Sequence, residues 1–103
     1  MFSRKDAIKY SRDFLNACSY LPIKINKAVL FGSTVTSKSK EDSDIDVALF
    51  SDDFGDNILK NIDLIGKVAI KFPDIDVHTF SSKSYKTSSL MIEEIKRTGL
   101  NLL

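Results

Sequence analysis

Two aspartates stand one residue apart at Asp44 and Asp46, inside the stretch Asp44-Ile45-Asp46-Val47. Successive side chains of a strand point to opposite faces, so an extended backbone here puts both carboxylates on one face and Ile45 and Val47 on the other. Two such charges 4 Å apart repel by roughly 4 kcal/mol at an effective dielectric near 20. A bound divalent cation is the simplest compensation, and paired carboxylates are hard oxygen ligands suited to magnesium, above all where phosphates complete the shell. Upstream, Gly32 closes the apolar run Lys27–Phe31, and Ser33 begins a segment rich in Ser, Thr, Lys and Asp. A glycine admits a phosphate close to the backbone. A following helix N-terminus offers free N–H groups and a favourable dipole, and the Ser33 hydroxyl adds one donor. Residues 30–50 thus hold a phosphate grip at one end and a metal grip at the other.

The same alternation recurs in the stretch Pro73-Asp74-Ile75-Asp76-Val77-His78-Thr79-Phe80. Asp74, Asp76 and His78 share one strand face, with Ile75 and Val77 opposite. Asp42, Asp44 and Asp46 also mimic the start of a calcium loop. That loop needs a glycine next and a glutamate at its end, where this chain has Val47 and Asp53.

The pairing of Gly-Ser with Asp-x-Asp ten residues later, inside a hydrophobic strand, resembles the signature of the polymerase-β nucleotidyltransferase superfamily. The order of elements resembles its minimal nucleotidyltransferase (MNT) branch. The resemblance implies ATP as nucleotide donor, held by Gly32 and Ser33, and two magnesium ions during catalysis. It implies Asp44 and Asp46 as metal ligands and Asp76 as the third carboxylate, joining the metal site and accepting the proton of the attacking hydroxyl. Asp74 is then a strand-entry residue. Many relatives keep an arginine where this chain has Thr36, leaving Lys38 or Lys40 to meet phosphate as a mobile point charge. Many MNT proteins act with a HEPN-domain partner, and some are antitoxins that adenylylate it on tyrosine. A HEPN protein is therefore the implied partner and a tyrosine hydroxyl the implied acceptor. The alternatives are a non-catalytic module that covers a toxin, and a small-molecule or RNA nucleotidyltransferase subunit completed by another chain.

The elements that must position these residues are legible as a pattern. Ser3 and Asp6 form a capping-box-like start. A helix to about residue 20 follows, with Ile8, Phe14, Leu15 and Cys18 at helical spacing. Residues 27–31 and 45–50 read as strands, and the segment between them as a helical turn or two followed by a loop. Asp56 or Asn57 caps a helix to about residue 71, its apolar face drawn from Ile58, Leu59, Ile62, Ile65 and Val68. Pro73 breaks the chain before a third strand, 75–80. A last helix spans about 88–98, with Gly99 at its left-handed C-terminal position. Residues 100–103 suit a short edge strand. The fold class expected is α+β, a mixed sheet flanked by helices in one domain over 1–103.

The 103 residues are 43% hydrophobic and 28% charged, with a formal net charge of +1. That balance argues against nucleic-acid binding by bulk charge. No apolar run reaches the ~20 residues of a membrane helix. Cys18 is the only cysteine, so the expected location is intracellular and cytoplasmic. Cys18 reads as core, His78 as a structural histidine, and Lys83, Tyr85 and Lys86 as a solvated loop.

Overall fold

The computed structural model describes residues 3–32 and 45–103. Ser33, Lys38, Asp44 and the proposed turn after Gly32 lie outside the described residues. Helix α1 covers Arg4–Cys18, strand β1 Lys27–Phe31, β2 Ile45–Ser51, helix α2 Ile58–Ala69, β3 Ile75–Ser81, α3 Leu90–Thr98 and β4 Leu100–Asn101. A 3₁₀ turn over Ser82–Lys86 joins β3 to α3. The helices begin where the capping residues sit. The Ser3 hydroxyl accepts from Asp6 N at 3.0 Å, Asn57 Oδ1 from Lys60 N at 3.2 Å, and the Ser89 hydroxyl from Ile92 N at 3.2 Å.

The sheet order is β3-β2-β1-β4. β1 pairs antiparallel with β2 and with β4, while β2 pairs parallel with β3. The parallel pair requires a crossover, which α2 supplies. The sheet is therefore mixed, as expected.

Alternation along the strands builds two cores. Ala28, Leu30, Ile45, Val47, Leu49 and Ile75 face one way and meet Phe14, Leu15 and Cys18 of α1 and Ile65 and Val68 of α2. Val29, Phe31, Ala48 and Phe50 face the other way and meet Ile92 and Ile95 of α3. On α1 the buried residues Ala7, Ser11, Phe14, Leu15 and Cys18 follow one helical stripe.

Three expectations change. On α2, Ile58, Leu59 and Ile62 are exposed, and the buried stripe is Asn61, Ile65 and Val68. Asn61 holds the inward position because its amide is satisfied there. Its Nδ2 donates to Gly55 O at 2.9 Å and to Thr79 Oγ1 at 3.2 Å, and its Oδ1 accepts from Gly55 N at 3.0 Å. Gly99 is extended (φ −76°, ψ 149°) rather than left-handed. A Cβ there would collide with Ile95 O and the Val29 side chain, so a close approach of α3 to β1 explains this glycine. Tyr85 is no solvated loop residue. Its ring packs edge-on against Phe50 at 5.3 Å, with the ammonium groups of Lys27 and Lys96 at 4.6 and 5.0 Å. Lys83 and Lys86 are exposed, as expected.

Candidate active site

Asp46 lies one residue into β2, Asp76 one residue into β3, and the parallel register sets them opposite each other. His78 follows two residues after Asp76 and so returns to the same face. That is the α3 face of the sheet, which runs from apolar at Phe50 and Phe80 to polar at these three side chains.

Asp46 Oδ1 lies 3.2 Å from His78 Nε2, and Asp76 Oδ2 lies 3.5 Å from the same nitrogen. His78 and Asp46 are mostly buried, at 23% and 28% side-chain exposure, while Asp76 is half exposed at 56%. The open side of the group is thus the Asp76 side. Phe31, paired with Asp46 across β1 and β2, meets the His78 ring edge-on at 5.2 Å. The hydrogen bond to Asp46 raises the His78 pKa above its usual 6.5. Burial opposes this, and the charges of Asp76, Asp46 and Glu94 reinforce it.

Gly32 directly follows β1 and has φ +87°, a conformation natural to glycine. A Cβ on it would lie 2.6 Å from Asp46 Oδ2. The glycine expected to admit phosphate therefore also makes room for the Asp46 carboxylate.

Asp46, Asp76 and His78 each offer one donor atom, all within 4.8 Å of one another. Two carboxylate oxygens and an imidazole nitrogen form a donor set that a divalent cation accepts, so these residues fit a metal. The structure brings together Asp46 and Asp76 of the expected site residues, with Gly32 against Asp46. Ser33, Lys38 and Asp44 fall among the residues not described. His78, read from the sequence as a structural histidine on the Asp76 face, is the third member of this group. Its signal is the period-two spacing from Asp76, which gives the right face without showing what the ring touches. Cys18 is buried, and burial pushes its thiol up to about 11, as befits a core residue rather than a nucleophile.

A family model described as Polymerase beta, Nucleotidyltransferase matches residues 17–103. The chain belongs to the polymerase β nucleotidyltransferase family. That match spans β1 to β4 and every site residue named above.

Solved structures resemble this nucleotidyltransferase-family chain along most of its length. A chain of a toxin–antitoxin complex with AMP-PNP superposes with a TM-score of 0.61, at 24% identity over 89% of this chain and 72% of its own. A Sulfolobus solfataricus protein described as a candidate nucleotidyltransferase gives 0.67, at 13% identity over 95% and 80%. A chain of the tri-AMPylated Shewanella oneidensis HEPN toxin in complex with MNT antitoxin gives 0.57, at 24% identity over 97% and 71%. At these identities the likeness establishes a shared fold. No curated protein matches the chain in sequence. Among the described residues, no helix is long and apolar enough to cross a membrane.

Proposed function

We propose that this chain transfers a nucleotidyl group, AMP from ATP, to a hydroxyl on a partner protein. The acceptor is a tyrosine of a HEPN toxin, and the chain acts as its cytoplasmic antitoxin. The observation that carries this reading is the placement of Asp46 and Asp76 at one register on adjacent parallel strands, beside Gly32, in a chain of the nucleotidyltransferase family. The similarity to complexes described as toxin–antitoxin, one of them holding an AMPylated HEPN toxin, supports the choice of acceptor.

In this reading Asp44, Asp46 and Asp76 hold magnesium, and Gly32, Ser33 and Lys38 grip the triphosphate. When bound, two magnesium ions supply charge stabilisation for the entering and leaving oxygens. Asp76 has a more exposed carboxylate than Asp46. It orients the acceptor hydroxyl for in-line attack on the α-phosphorus and accepts its proton. The O–P bond forms as the bond to pyrophosphate breaks. Gly32, at the end of β1, sets the triphosphate against the Asp46 side of the group.

The test is transfer of label from ATP to the HEPN partner, with the modified residue located by mass spectrometry. Asp46→Asn and Asp76→Asn should each lower the rate by about a hundredfold or more, the scale at which loss of one transition-state-stabilising group is felt. Undiminished transfer by either folded variant would overturn the assignment. If Asp46→Asn still neutralises the toxin without transfer, covering the toxin suffices and catalysis is not the antitoxin's function.

A further inference from the structure

We propose that His78 is a metal ligand beside Asp46 and Asp76, making a mixed nitrogen–oxygen site that favours manganese-class transition ions over magnesium. The proposal rests on the reading of Asp46 and Asp76 as metal ligands.

The geometry is convergent. His78 Nε2 lies 3.2 Å from Asp46 Oδ1 and 3.5 Å from Asp76 Oδ2. Neighbouring ligands of an octahedral ion bonded at about 2.1 Å stand ~3.0 Å apart, so the nitrogen stands near ligand spacing from each carboxylate, with all three donor atoms within 4.8 Å of one another. The imidazole is also restrained. Its backbone is fixed in β3 with Ala48 as its partner on β2. Its ring meets the buried Phe31 edge-on, and under a quarter of the side chain is exposed. A nitrogen held this way is preorganised to bind rather than free to turn into solvent. Asp76, with more than half its side chain exposed, leaves that side of the group open for water and phosphate oxygens.

Nitrogen changes which ion gains. Magnesium demands oxygen ligands and parts reluctantly with its waters. Manganese, iron, cobalt and zinc accept imidazole, with affinities rising along that series to the later metals. An imidazole ligand therefore adds affinity for those ions and little for magnesium.

The rival role for His78 is that of a counter-cation that offsets the two carboxylates and never bonds the ion. The two roles predict opposite signs. Removing a counter-cation strengthens or leaves unchanged the binding of both ions, whereas removing a ligand weakens manganese selectively.

The experiment titrates the nucleotide-free full chain with manganese chloride and, separately, magnesium chloride by calorimetry. The variants are His78→Ala, His78→Gln and Asp46→Asn, each checked for folding by circular dichroism. His78→Ala should weaken manganese by about tenfold or more, since loss of even groups that merely support a ligand costs 10–100-fold. Magnesium should change by less than about threefold. His78→Gln, which offers oxygen in place of nitrogen, should leave magnesium binding close to wild type and manganese binding weakened. Independently of any variant, pulsed electron spin resonance of the wild-type manganese complex should show coupling to a histidine nitrogen. Absence of that coupling, or manganese and magnesium affinities that move together or rise in His78→Ala, would overturn the proposal. Asp46→Asn separates the two claims. If it leaves both ions bound as in wild type, the carboxylate site itself is wrong. If it loses both while His78→Ala loses neither, only the role of His78 is wrong.

Discussion

Gly32→Ala is the substitution whose effect can be worked most fully from the structure. Gly32 sits at φ +87°, and an L-residue placed in left-handed backbone costs about 1–2 kcal/mol. The new Cβ would also lie 2.6 Å from Asp46 Oδ2. To reach 3.0 Å, the closest separation that real Cβ atoms tolerate, that oxygen must retreat by about 0.4 Å (3.0 − 2.6). Oδ1 of the same carboxylate sits 3.2 Å from His78 Nε2, near the outer limit of a hydrogen bond. A carboxylate that turns away from the added methyl group therefore loses its hold on His78. The expected result is a loss of about 1.5–3 kcal/mol in urea unfolding, the sum of backbone strain and one weakened charge-assisted bond. Divalent-cation affinity should fall with it. Two other glycines calibrate the measurement, because a Cβ at Gly55 or Gly66 meets nothing within 4 Å. Gly55→Ala should stay within about 0.5 kcal/mol of wild type. Gly66→Ala, inside α2, should stabilise by about 0.5–1 kcal/mol through helix propensity. If Gly32→Ala falls in the range of these two and binds cations normally, then the glycine does not make room for Asp46 and the reasoning fails.

In the metal-free protein, His78 should titrate above 6.5 by NMR, chiefly through its bond to Asp46, and Asp46→Asn should bring it down. Because the folded pKa is the raised one, the stability it contributes is fully present below about pH 6.5 and is lost as pH climbs through the folded value; His78→Gln should abolish this dependence in urea melts. Asn61→Ala removes the two bonds between the buried Asn61 amide and the exposed Gly55 backbone and should cost about 1–3 kcal/mol in the same assay, the net worth of two hydrogen bonds. Ser11 is fully buried on α1, and its hydroxyl has no partner among the described residues; Ser11→Ala should therefore be neutral or stabilising by up to about 1 kcal/mol, read as a shift in urea midpoint. Cys18, buried and with its thiol pushed up to about 11, should react with a thiol reagent only as fast as the protein unfolds, and a rapid native-state reaction would contradict its core placement.

Local rules make much of this architecture readable in advance. Ser3 and Asn57 sit where caps belong, and Lys27–Phe31 is an apolar run closed by a glycine. The alternation around Asp46 and Asp76 gives the correct face for each, because a strand's period of two leaves no freedom. What escapes local rules depends on tertiary contacts. α2 carries more apolar residues than one stripe can bury, and only the needs of Gly55 and Thr79 decide that Asn61 turns inward while Ile58 and Ile62 stay out. Gly99 reads as a helix terminator, yet its reason is the side chain of Val29, far away in sequence. Tyr85 finds Phe50 in the same way. His78 is visible as a face but not as a neighbour of Asp46, since the β2–β3 register is set by no short-range signal.

That register also has a consequence for folding. The Asp46–Asp76 pair lies across a parallel ladder, and the chain must lay down the whole α2 crossover before the two strands can zip. Contacts so distant along the sequence incur their loop-closure entropy before they are rewarded, and they belong to the slower part of assembly. The proposed cation site therefore does not exist in any local fragment of the unfolded chain. An ion that binds the native pair and not the dispersed carboxylates shifts the whole folding equilibrium by mass action. Loading the site would thus act as a latch on the sheet: it would slow unfolding from the β2–β3 seam, the seam where catalysis is proposed.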